Sequence, residues 1–196
     1  MSPSEAGLAR NTALTVAGLV ALRLAAAGWT PLTFDEAYYW MWSKHLAGGY
    51  YDHPPMVAVV IRLGTMIAGD SEFGVRLASV LLALPMSWAV WRTAAILFAD
   101  IRVAATATIL LNITLMAAVG TLIVTPDAPL LVASSFVLFA LAKVLQTGRG
   151  AWWLAVGAAI GAALLSKYTA LFFGPAILIW LVSVAGVRRW LFSPWP

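Results

Sequence analysis

Residues 12–29 read TALTVAGLVALRLAAAGW, and whether this apolar run is a removable leader or a retained helix decides the fold. Arg10 precedes it and Ala25-Ala26-Ala27 resembles a cleavage site. The apolar core of a leader is a short uncharged run, and Arg23 interrupts this one. More apolar runs follow, so the segment is read as a retained anchor, the first span of a membrane protein. Arg23 then lies within a span, where a charge is costly unless it faces the bundle interior and pairs with an acid or a carbonyl.

Composition points the same way. Of 196 residues, 62% are hydrophobic and 10% charged, with a mean hydropathy of +0.90, far too apolar for a soluble domain. A spanning helix needs about 20 mostly apolar residues, so the length allows several spans and no sizeable soluble domain. A closed barrel would show ~10-residue segments of alternating polarity, whereas these runs are unbroken and rich in Ala, Leu and Val. The expected fold class is therefore all-α, a polytopic transmembrane helix bundle. Its expected spans, about six, are 10–30, 73–98, 102–120, 128–146, 151–165 and 168–187. Ala-rich stretches such as GAAIGAALL (157–165) supply small residues for close helix packing.

Charge sets the orientation. Arg10, the pair Arg92 and Arg102 around FADIR, the pair Lys143 and Arg149, and Arg188-Arg189 all fall on one side of such a bundle. The positive-inside rule makes that side cytoplasmic, with the N-terminus. The cations sit at helix ends rather than clustered with aromatics on one face, so nucleic acid is not an expected partner. With no cysteine, thiolate metal sites, disulfides and cysteine nucleophiles are excluded.

The opposite, extracytoplasmic side receives the loop 31–72 and the turns TLIVTPDAPL and LLSKYTAL. Most of the chain's acids and both of its histidines lie there. Residues 34–47 carry Phe34, Tyr38, Tyr39, Trp40 and Trp42, a mixture suited to a helix lying in the membrane interface, with Gly48-Gly49 ending it. Pro54-Pro55 then starts a second short apolar helix, Met56 to Ala68.

Each polar residue of this set has a structural reading. TFDE (33–36) matches a capping box, with Thr33 as N-cap, Glu36 reaching back and Asp35 favoured by the helix dipole. Asp127 in TPDAP suits an N-cap with Pro129 in the first turn. His53 beside Pro54 suits a turn, and Lys167 can snorkel. Taken together, acids near a hydrocarbon boundary more often line a polar cavity or pathway. Asp52-His53 places a carboxylate beside an imidazole, a pair able to help hold a divalent cation or a phosphate, though two ligands do not make a metal site. A transporter would also gather buried charges in a helical bundle, and a non-catalytic membrane subunit would use Asp35 and Asp127 only as caps.

The ordered set FDEAYYW, Y-x-HPP, TPDAPL and SKYTALF resembles the GT-C-type glycosyltransferases of the protein O-mannosyltransferase and lipid A aminoarabinose transferase group. The resemblance runs from about residue 10 to the end of the chain. It implies a membrane enzyme that takes a sugar from a polyprenyl-phosphate donor and passes it to a lipid, glycan or protein acceptor on the extracytoplasmic face. Membrane lipid is a further partner, and the expected location is the plasma membrane, the inner membrane of a bacterium. Asp35 matches the first-loop aspartate, the base or electrostatic partner at the acceptor, and Asp127 a second catalytic loop aspartate. Glu36, His53 and Lys167 are the implied substrate-binding residues, and Asp52 the implied holder of a divalent metal cation. The aminoarabinose transferase has Glu-Lys where this chain has Asp52-His53, and a neutral imidazole brings one donor and no fixed charge to a phosphate. Family members are longer, so residues 1–196 are expected to form the N-terminal part of a single such transmembrane domain.

Overall fold

A computed structural model describes residues 2–195. Among them it contains helices and no strands, with ten α-helices in chain order. Helix α1 (Pro3–Ala27) is opened by a capping box between Ser2 and Glu5 and is about 38 Å long at 1.5 Å per residue. Helices α2 (Phe34–Lys44) and α3 (Met56–Ala68) are the two expected in the first loop. Helix α2 stops at Lys44, ahead of Gly48-Gly49, because the Tyr50 hydroxyl lies 3.1 Å from the carbonyls of both Trp42 and His45 and occupies the end of the helix.

Helices α4 (Glu72–Leu81) and α5 (Ala83–Phe98) form one nearly continuous rod. The break at Leu82 falls where Pro85 has no N–H to donate to Leu81. Helices α3 and α4 form a tight hairpin turned at Gly69, whose φ is +76°. They pack so closely that a Cβ on Gly64 would lie 2.3 Å from the Gly74 carbonyl oxygen. In GAAIGAALL a Cβ on Gly157 or Gly161 would meet nothing within 4 Å, and the packing of α9 on α8 runs through its alanines, with Ala163 buried against Ala133.

Helix α6 (Ile101–Ile113) is followed by the single turn α7 (Leu115–Ala118) and then by α8 (Asp127–Thr147). Helix α9 (Trp152–Leu164) leads through a 3-10 turn (Tyr168–Phe172) into α10 (Phe173–Ser183), and a second 3-10 segment (Ala185–Phe192) ends the fold.

Among the described residues three helices are long and apolar enough to cross a membrane: Pro3–Ala27, Glu72–Phe98 and Asp127–Thr147. A fourth joins them if Tyr168–Ser183 and Ala185–Phe192, bent by 117°, count as one span. The expected spans 102–120 and 151–165 shrink to 13-residue helices, about 20 Å each against a hydrocarbon core of about 30 Å. Helix α6 ends early because Thr114 turns extended (ψ 146°) and its hydroxyl caps α7. Arg23 holds that end: its guanidinium donates to the Asn112 side-chain oxygen at 3.2 Å and to the Asn112 carbonyl at 2.5 Å. The intramembrane arginine is thus paired with a carbonyl, as its position required.

The core is built of separate apolar clusters along the bundle. Val16, Val20, Val80, Ala83 and Met86 pack α1 against the rod. Val137, Val144, Trp153, Val156 and Trp190 join α8, α9 and the last segment. Tyr39, Trp42, Val57, Ile61, Val75 and Val124 form a third cluster beneath α2, and the polar residues gather around it.

Candidate functional site

The capping box at the head of α2 forms as the sequence required. The Thr33 hydroxyl accepts from the Glu36 N–H, and the Glu36 carboxylate accepts from the Thr33 N–H at 2.9 Å. Glu36 does far more than cap. It is fully buried, and Arg76 of α4, itself 2% exposed, donates to its two oxygens through Nε and Nη2, both at 2.7 Å. The Val124 N–H adds a bond of 3.1 Å from the segment ahead of α8. Arg76 also donates to the carbonyls of Ala27 and Thr30 at 2.8 Å and of Pro31 at 3.1 Å. One buried ion pair therefore joins the end of α1, the connector, α2, α4 and the TPD turn. Burial alone would raise the Glu36 carboxyl, but the hydrogen bonds from Arg76, Thr33 and Val124 outweigh it and hold the group below its ordinary value. Glu36, expected among the substrate-binding residues, is thus enclosed, with both carboxylate oxygens held by protein donors.

Asp35 is the opposite case. It precedes Glu36 by one residue, about 100° around the helix, and it is exposed with no hydrogen-bond partner among the described residues. The ion pair that locks Glu36 inward therefore presents Asp35 outward. At the far end of α2, Lys44 pairs with Asp70 of the α3–α4 turn, and the Trp40 indole N–H also donates to Asp70 at 3.3 Å.

Asp127 and Lys167, expected on one face, meet directly. The ammonium lies 2.8 and 3.0 Å from the two carboxylate oxygens, with both side chains about 30% exposed. Asp127 is the first residue of α8 and makes no side-chain cap, since its carboxylate is taken by the lysine. Pro129 sits in the first turn, as expected. The SKY turn is tied in turn to the HPP turn by a backbone bond from the Met56 N–H to the Leu165 carbonyl, 2.9 Å.

His53 is half-buried, its ring edge-on to Tyr39 with centroids 5.9 Å apart and to Trp42 at 6.5 Å, while the Tyr50 ring stacks on Trp42 at 4.3 Å. Its carbonyl accepts from the Tyr50 N–H at 3.0 Å. Asp52 beside it is exposed. Among the described residues no three His, Asp or Glu side chains come together as a metal-holding group. The Asp52-His53 pair by itself therefore does not fit an enclosed cation site.

Below these turns an apolar groove of about 480 Å³ runs between α3, the break at Leu82, α8 and α9. Met56 and Ser166, the neighbours of the HPP turn and of Lys167, lie along it together with Pro129, and Phe139, Ala140 and Trp152 continue it down the bundle. From Pro129 to Ala140 that is about 16 Å of helix. Of the α9 alanines expected to serve helix packing, Ala163 packs against Ala133 of α8, while Ala158, Ala159 and Ala162 also line this groove.

All four sequence motifs thus meet at one end of the bundle. Two members of the cluster were not anticipated. Arg76 lies in the expected second span, and a lone arginine in an apolar run was the available signal. Tyr39 was read as an interfacial ring, yet it is 6% exposed; no pattern in α2 separates it from its exposed neighbour Tyr38.

A family model described as dolichyl-phosphate-mannose-protein mannosyltransferase matches residues 52–196. The lipid A galacturonosyltransferase RgtD of Rhizobium johnstonii is 31% identical over 184 residues, 91% of this chain and 38% of that protein. The chain therefore spans under half the length of this curated relative. No solved structure matches it.

Proposed function

Since the chain belongs to the dolichyl-phosphate-mannose-protein mannosyltransferase family, we propose that it forms the reaction centre of a membrane glycosyltransferase that draws its sugar from a polyprenyl-phosphate carrier. The observation that carries this reading is an exposed, unpaired carboxylate, Asp35, at the same end of the bundle as Lys167, whose neighbour Ser166 lines the apolar groove. Such an arrangement suits a donor that is half lipid and half sugar phosphate. The prenyl tail lies in the groove, where burial of apolar surface holds it, and its phosphate comes up at Lys167.

The chemistry follows. Asp35 takes the proton of an acceptor hydroxyl, and the acceptor oxygen attacks the anomeric carbon. The bond from that carbon to the phosphate oxygen breaks, and the departing electrons stay on the phosphate, where the Lys167 ammonium offsets the growing charge. Asp127 orients the lysine. His53, at the same rim, is a further polar neighbour of the phosphate, and Asp52 a second unpaired acid. Glu36 with Arg76 keeps α2 and the TPD turn in register. The lipid A galacturonosyltransferase relative makes lipid A the first acceptor to try, on the extracytoplasmic side of the plasma membrane.

The test is sugar transfer in membranes holding the full-length protein, from a panel of polyprenyl-phosphate sugars, with wild type beside Asp35→Asn at matched expression. Asn keeps the size of the side chain and cannot act as a base. A loss of at least about a hundredfold is expected. Equal transfer by the two would remove Asp35 from the chemistry, and no transfer by wild type would favour a transporter.

A further inference from the structure

Resting on the glycosyltransfer reading, we infer that the Tyr39 hydroxyl is a further substrate-contacting group, donating a hydrogen bond to an oxygen of the donor's sugar. Tyr39 lies one helical turn after Asp35 on the same face of α2. Its ring is 6% exposed, wedged against Trp42 at 5.0 Å and His53 at 5.9 Å. Among the described residues its hydroxyl has no hydrogen-bond partner, which is uncommon for a polar group on a buried side chain. The fully enclosed side-chain polar atoms without a partner, among the described residues, are Ser79 Oγ and Trp153 Nε1. The Tyr39 hydroxyl is not one of them, so it is not sealed from solvent, and its ring lies beside His53 within the field of Asp35, Asp52 and Asp127.

The surroundings say what kind of group belongs there. Burial, and then the carboxylates of Asp35, Asp52 and Asp127 with the neighbouring Tyr38, push the Tyr39 phenol up to about 12. It is therefore a neutral donor throughout the working range, set among three carboxylates that only accept. Asp127 is already neutralised by Lys167, while Asp35 and Asp52 are unpaired. A phosphate brought to this wall would be repelled by it. A sugar suits it, because its hydroxyls donate to the carboxylates while one of its oxygens needs the donor that carboxylates cannot supply. Lys167 at the groove takes the phosphate, and Tyr39 and the two acids face the ring.

Tyr39→Phe tests this in the full-length protein, since Phe keeps the ring packing and removes only the hydroxyl. The value of kcat/KM for transfer from a polyprenyl-phosphate sugar is expected to fall about ten- to a hundredfold. The ratio of wild type to variant should stay level from pH 6 to 9, because the phenol does not titrate there. A second arm measures inhibition by the same polyprenyl phosphate without a sugar, which should be equal in both proteins. That arm also reports that the variant is folded. Equal transfer by wild type and Tyr39→Phe would overturn the inference, and so would a matching loss of affinity for the sugar-free carrier, which would move the contact to the phosphate. Wild type inactive with every donor would instead overturn the glycosyltransfer reading beneath it.

Discussion

Replacing Arg76 by Met keeps much of the side chain's length and deletes its charge, and so isolates the buried ion pair. The loss is large because the pair is wholly enclosed, with Arg76 2% and Glu36 0% exposed. Two charge-assisted bonds of 2.7 Å disappear, and the carbonyls of Ala27, Thr30 and Pro31 lose their donor as well. Removing one partner of a buried pair costs about 3–5 kcal/mol, or about two to three and a half powers of ten in the folded-to-unfolded ratio. The lower end is expected here, because Glu36 retains the N–H groups of Thr33 and Val124. Thermal unfolding in detergent micelles, followed by loss of monodisperse protein, reads the change. The double variant Glu36→Gln with Arg76→Met should cost less than Arg76→Met alone, since no uncompensated charge stays buried. An Arg76→Met protein within about 1 kcal/mol of wild type would refute the account of the pair as the joint of the site.

Three further expectations come from the groove and from the buried ionisable groups. Ala159→Phe fills the middle of the groove; KM for long prenyl carriers should rise at least about tenfold while short-chain donors are little affected, and equal loss for both would separate the groove from the tail. The folded Glu36 carboxyl lies below its ordinary value of 4.5, so its stabilisation is present above that value and fades as pH falls through the lower folded one. Tyr39 is the reverse, rising from 10.0 to about 12, so stability is untouched below pH 10 and declines between the two values. Unfolding midpoints across pH should lose the alkaline decline in Tyr39→Phe; a decline that persists unchanged belongs to another group.

How much of this was legible depended on distance along the chain. The Thr33–Glu36 box spans three residues and was readable because a capping box is a local device. That Asp127 and Lys167 share a face followed from counting spans and cations, although their actual contact across 40 residues did not. The Glu36–Arg76 pair, also 40 residues apart, was hidden because the same glutamate already satisfied a local pattern. About six spans were expected from apolar runs and breakers, and an apolar run does not show Thr114 leaving helical geometry or the 117° bend after Ser183. GAAIGAALL shows the same limit: small residues permit a close contact and equally permit a groove, and only the neighbours decide which.

On the proposed glycosyltransfer, the groove and Asp35 would give the two products separate ways out. The spent carrier, still a lipid, would withdraw sideways between helices, while the glycosylated acceptor would leave past Asp35. Both substrates can then be resident together and neither departure waits on the other, so a steady-state analysis should find sequential kinetics. A compound mimicking the prenyl tail would compete with the carrier and leave the acceptor's access untouched.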